Sequence, residues 1–203
     1  TSRPEQLLPT IVSRCQRLRF DPLLVESIED ALQEREGMDP GRAAMLARMA
    51  DGSYTRALEL AESDDLMTSR SLVIDFFRSS YARNVNQLSD QVNEVSSQGR
   101  ERAKSVLQLM LRWIRDLMLY RELGEEAPLV NVDQNEVIEN FVRRVPDADL
   151  EAMIHLVEQA IHLAERNVRL SLVLTTLAHR LGDSMRGKGD ARLYVPMPDA
   201  ETA

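Results

Sequence analysis

The chain has 203 residues, of which 43% are hydrophobic, 29% charged and only 4% aromatic, and its formal net charge is −8. This length can bury a sizeable core in one large domain or two modest ones, and sparse Gly and Pro favour helices over a sandwich or barrel. The acidic bulk argues against nucleic acid as the main partner of this chain, and a single cysteine, Cys15, leaves no intramolecular disulfide and no cysteine-based metal cluster.

The first twenty residues, TSRPEQLLPTIVSRCQRLRF, depart from the acidic average: Arg3, Arg14, Arg17 and Arg19 stand against Glu5 alone. A basic edge on an acidic body points to a phosphate-bearing or acidic neighbour. Pro9 suits a first helical position, and Thr10 to Arg14 then form a short helix that projects Arg14 outward near its end. The alternation that follows, with Gln16, Leu18 and Phe20 on one face and Arg17 and Arg19 on the other, predicts a short strand buried on one side. Cys15 reads as a small buried residue at the junction.

Pro4, Leu7 and the run Thr10-Ile11-Val12-Ser13-Arg14-Cys15-Gln16 resemble the segment of AAA+ clamp-loader ATPases that runs from sensor 1 to the Ser-Arg-Cys motif. The resemblance implies that Arg14, between Ser13 and Cys15, is an arginine finger acting in trans on ATP held by a neighbouring subunit. Such fingers speed phosphoryl transfer by roughly 10³ to 10⁵ in other systems. It also implies that the chain is a fragment, since it does not begin with Met, opens on what reads as the tail of a domain, and carries no glycine-rich phosphate loop. Residues 1–20 would be the end of the ATPase core.

Asp21-Pro22 marks a turn into a helix from Leu23 to about Glu36, whose apolar positions Leu24, Val25, Ile28, Ala31 and Leu32 fall at helical steps before Gly37. Asp39 caps a second helix with Pro40 in its first turn, running through Ala50 with Ala44, Met45 and Met49 on its apolar side. Ser53 caps a third, with Tyr54, Ala57, Leu58 and Ala61. The three, within residues 21–63, have the size of the AAA+ lid. Gly52-Ser53-Tyr54-Thr55-Arg56-Ala57-Leu58 resembles the sensor 2 motif of the family, but the sensor position falls on Thr55, and Arg56 comes one residue later. One residue is about a 100° rotation on a helix, so Arg56 reads as a solvent-facing side chain. That offset resembles the bacterial DNA polymerase III delta-prime type of subunit, which does not itself hydrolyse ATP; a gamma/tau-type motor is the alternative within the family.

Longer helices follow: Leu66 to Ala82, with Leu72, Val73, Phe76, Phe77 and Tyr81 as its stripe; Val85 to about Ser97; and, after Gly99, Arg100 to Leu123. The last is apolar on most sides and must be covered by several others. Gly124 to Val132 reads as a loop. Asp133 caps a helix to Val145, Pro146-Asp147 opens another through Arg166, and Val168 to Met185 forms the last. Asn167-Val168-Arg169-Leu170-Ser171-Leu172 resembles the end of the clamp-loader collar, which implies that residues 64–186 are a collar packing beside those of neighbouring subunits. Residues 187–203, with Gly189, Pro196 and Pro198, read as a flexible tail.

His155 and His162, seven residues apart, and His179 on the next helix have poor spacing for a metal. Asp64-Asp65 and Glu125-Glu126 read as solvated turns, and Ser13 has no histidine nearby in sequence to activate it. The resulting expectation is an all-α chain, lid then collar, that supports ATP-driven loading of a sliding clamp onto primed DNA. It would hold no cofactor or metal, with ATP on a neighbouring subunit, and would have gamma/tau and delta subunits as partners. With no membrane-length apolar run and no lipidation motif, it is expected to be cytoplasmic and without enzymatic turnover of its own. The reading of a different class is a helical protein-interaction adaptor unrelated to ATPases.

Overall fold

Thr10, Arg14 and residues 20–62, 65–166 and 168–194 are described in the computed structural model, which divides into two units, Thr1–Glu59 and Leu60–Ala203. The described residues hold helices and turns and no strand. Of the alternating run expected to form a strand, only Phe20 is described. Among the described residues no strand pairs with it, and it is 89% exposed, against the burial expected of it.

In the first unit, α1 (Val25–Glu36) begins later than the sequence predicts: Leu24 is its N-cap and stays exposed, while Ile28 and Leu32 are fully buried. Gly37 ends it in the left-handed conformation, φ 64°, its N–H returning to the carbonyls of Gln33 and Leu32. Helix α2 (Pro40–Met49) starts as its sequence dictates, with the Asp39 carboxylate accepting from the Arg42 N–H at 3.2 Å. It packs on α1, and Ala43, Met45, Leu46, Ala47 and Met49 are buried along it. Helix α3 (Tyr54–Glu62) crosses the boundary between the units, and Ala57 is its buried residue.

The second unit is a bundle of α4 (Leu66–Ala82), α5 (Val85–Ser97), α6 (Arg100–Leu123), α7 (Asn135–Arg144), α8 (Leu150–Glu165) and α9 (Leu170–Ser184). Helix α6 packs on α4, α5, α7 and α8, and α9 closes against α4, α5 and α8. Both therefore carry apolar residues around much of their circumference, as α6 was predicted to. Phe77, Trp113 and Phe141 form a ring cluster, stacked at 4.8 Å between the first two and edge-on at 5.3 Å between the last two. Where α9 crosses α4, a side chain on Gly182 would stand 2.5 Å from the Ser80 carbonyl, so only glycine permits this approach.

Three local expectations give way here. Asp133 does not cap α7; it lies in a 3-10 turn (Val132–Gln134) and its carboxylate is taken by Arg70. Helix α8 starts at Leu150, because Asp149, rather than Pro146-Asp147, supplies the cap, accepting from the Ala152 N–H at 2.9 Å. The first part of the tail is held: Gln159 donates to the Ala191 carbonyl at 2.7 Å and accepts from the Leu193 N–H at 3.0 Å, and Leu193 is buried. Residues 195–203 lie outside the described residues.

Candidate functional site

Arg14 is exposed and lies in a turn, while its motif neighbours Ser13 and Cys15 fall outside the described residues. A few residues on, the chain is pinned. The Leu23 N–H donates to the Gly52 carbonyl at 2.8 Å. Gly52 has φ +79°, and a side chain there would run into Pro22, whose Cα is 2.9 Å from the position a Cβ would take. The glycine of the Gly52-to-Leu58 run is therefore required both by its backbone conformation and by a close backbone approach.

Directly after it, the Ser53 hydroxyl accepts from the Arg56 N–H at 3.3 Å, the cap expected from the sequence. Tyr54 turns toward α1: its hydroxyl donates to Glu36 at 3.0 Å and the Arg35 guanidinium lies 6.0 Å from its ring centroid. Burial, then the hydrogen bond and negative charge of Glu36, push the Tyr54 hydroxyl above its ordinary pKa of 10.0. Thr55 and Arg56 are both exposed on the first turn of α3. Among the described residues no hydrogen bond joins Arg14, Thr55 and Arg56 to one another.

In the second unit the sequence reading missed a buried polar network. Asp116, fully buried in α6, accepts from the Val130 N–H at 3.1 Å, the Asn131 N–H at 2.8 Å and the Asn131 side-chain amide at 2.8 Å. The Asn131 carbonyl oxygen in turn accepts from Arg70 Nε and Nη2 at 3.2 and 3.0 Å. Arg70, 3% exposed, makes a bidentate pair with Asp133 at 2.6 and 3.0 Å. The network fixes the loop before α7 to α4 and α6. Its signal was present in the sequence as a carboxylate amid Trp113, Ile114 and Leu117.

A second missed residue is Arg100, which donates to the carbonyls of Ala164 at 3.0 Å, Arg166 at 2.6 Å and Val168 at 3.2 Å. It thereby satisfies the open carbonyls at the end of α8 and fixes the junction into α9. Arg102 pairs with Asp65 and donates to the Ser69 hydroxyl at 2.7 Å, which ties α6 to the start of α4. His155, His162 and His179 are exposed, and the described residues hold no group of three His, Cys, Asp or Glu side chains placed to bind a metal. No described helix is long and apolar enough to cross a membrane.

With this bundle in view, the family comparison is direct: the family described as DNA polymerase III, delta subunit, C terminal, matches residues 65–182, more than half of the chain. The chain belongs to that family. Its match runs from the start of α4 almost to the end of α9, so the Arg70–Asp116 network and the Arg100 clasp both lie within the matched DNA polymerase III segment. Subunit delta' of DNA polymerase III from Bacillus subtilis (strain 168) is 42% identical over 77 residues, covering 38% of this chain and 23% of that protein. Subunit tau from the same organism is 26% identical over 182 residues, covering 79% of this chain and 32% of that protein. The chain thus spans under a third of the length of either relative. The resemblance to DNA polymerase III clamp-loader subunits, and the all-α fold, are borne out; the roles of Arg14, Thr55 and Arg56 are a separate matter.

Proposed function

We propose that this chain is the lid and collar part of a DNA polymerase III clamp-loader subunit of delta-prime type, which helps ATP-driven loading of a sliding clamp onto primed DNA. The family match over residues 65–182, from the start of α4 almost to the end of α9, carries this reading, because the clamp-loader resemblance implies that such a bundle is a collar packing beside those of neighbouring subunits. In it the collar joins gamma/tau and delta subunits in a ring. Arg14 reaches into a neighbour's ATP site and stabilises charge on the transferring phosphoryl group. The exposure of Arg14 supports that role, as a cation that acts on a partner must reach beyond its own unit. Thr55 in place of the sensor arginine, with Arg56 turned to solvent, supports a subunit that does not hydrolyse ATP itself.

The gamma/tau-type motor is the second reading, favoured by the length of the alignment to tau, 79% of this chain. Size exclusion with light scattering, after mixing the chain with purified clamp-loader motor subunits, tests the assembly. A stable hetero-oligomer is the expected result; a persistent monomer would remove ring assembly through the collar from the proposal. In the complete assembly, Arg14→Ala is expected to lower ATP turnover by at least about tenfold at the site it serves, given the size of finger effects elsewhere. Unchanged turnover would remove the finger from the proposal.

A further inference from the structure

Between α4 and α7 lies an open groove of about 360 Å³ whose base is the Phe77, Trp113 and Phe141 ring cluster. Tyr81, 41% exposed, stands at its edge with Arg78 and Arg144. None of the residues lining it is a carboxylate, on a chain whose net charge is −8. Arg78 pairs with Asp75 at 3.2 Å on the surface, an interaction of little strength in water, and Arg144 is exposed at the last turn of α7. The Arg186 guanidinium lies 4.9 Å from the Tyr81 ring centroid, which adds a further cation on that side.

An apolar trough rimmed by arginines, on an otherwise acidic molecule, selects by charge as well as by shape. Its volume accepts one or two large apolar side chains, which meet the exposed Tyr81 and the half-buried Val137 and Phe141, while Trp113 beneath them is 3% exposed. We infer that this groove is a docking site for an acidic amphipathic helix of a partner protein, which places leucine or phenylalanine against Tyr81, Val137 and Phe141, above the buried Phe77 and Trp113 rings, and carboxylates against Arg78 and Arg144. Binding of this kind is helix-in-groove recognition, with apolar anchors supplying contact and rim charges supplying selectivity and association rate. The inference is independent of the role proposed for Arg14.

Trp113 is the only tryptophan, so its emission reports occupancy without a label. The probe is a synthetic helical peptide, free of tryptophan, with Leu and Phe along one face and Glu on both flanks, titrated into the full chain. A saturable change in Trp113 emission is expected. Replacing every Glu of the peptide by Gln, or introducing Arg144→Glu in the protein, is expected to weaken binding by about tenfold or more, and added salt to weaken it further. Both arginines are on the surface, so circular dichroism of Arg78→Glu and Arg144→Glu separates lost binding from lost folding. Equal affinity for the Glu and Gln peptides would overturn the inference, as would binding indifferent to both arginine variants. So would concentration-dependent dimerisation that Arg144→Glu abolishes, which would make the groove a contact between copies.

Discussion

In the first unit the interior is built from Ile28, Leu32, Met45, Leu46, Met49 and the fully buried alanines Ala43, Ala47, Ala50 and Ala57. The second buries Phe76, Phe77, Trp113, Ile114 and Leu117, and with them Arg70, Asp116 and Asn131. Alanines let helices approach closely but each removes little apolar area from water, so a small unit made this way leans on its backbone devices. Those devices are the Asp39 cap, the left-handed Gly37 and the Gly52 approach to Pro22. The second unit has area to spare and uses part of it to enclose a polar network. A side-chain change should therefore weigh most in the second unit, and a backbone change most in the first.

The sharpest break in that contrast is Asp116→Ala. It leaves the N–H groups of Val130 and Asn131, and the Asn131 amide, buried without an acceptor, and each such group costs about 1–3 kcal/mol. A loss on the order of 3 kcal/mol or more in urea unfolding is expected, with faster hydrogen exchange at Val130 and Asn131. A change under about 1 kcal/mol would mean that the network is solvated and adds little.

Next in size is Gly52→Ala, which forces a non-glycine residue to φ +79° and drives a methyl group into Pro22. Strain of this kind costs about 1–3 kcal/mol, a large share of what so small a unit has. Exchange protection in α1 and α2 should fall, while α6 and α8 keep theirs. Equal losses in both units would mean that they unfold as one, and the contrast drawn above would fail.

The same contrast explains what could be read from the sequence. Helices α4, α5 and α6 have the bounds that periodicity and the flanking Gly99 and Gly124 dictate, since these signals are local. Asp133 looked like a cap by the same local logic, but Arg70, distant in sequence, recruits its carboxylate, and no window of neighbouring residues shows that. Leu193 resembled part of a loose tail because its anchor, Gln159, lies on another helix. At the candidate site, the displacement of Arg56 from the sensor position was legible, as helical rotation is fixed by residue count. The reason for Gly52 was not, because it lies in Pro22, on the far side of two helices in the chain.

The smallest effect is a pH dependence that separates the units. The Tyr54 hydroxyl donates to Glu36, and burial together with that carboxylate raises its pKa above 10.0. A folded-state pKa above the unfolded one means that the neutral form is favoured by folding. The contribution is full below about pH 10 and is lost as pH rises through the higher folded value. Tyr120 in the second unit is raised in the same direction, by burial first and then by Glu139 and Glu125, so global alkaline unfolding would mix the two. Tyr54→Phe resolves them: it removes the donor that joins α3 to the end of α1 and leaves Tyr120 in place. The variant is expected to flatten the alkaline decline in exchange protection across α1 and α2, with protection there slightly lower near neutral pH, and to leave the decline in α6 as it was. If the decline in α1 and α2 persists in Tyr54→Phe, the hydroxyl-to-Glu36 tie is not what the first unit loses at high pH.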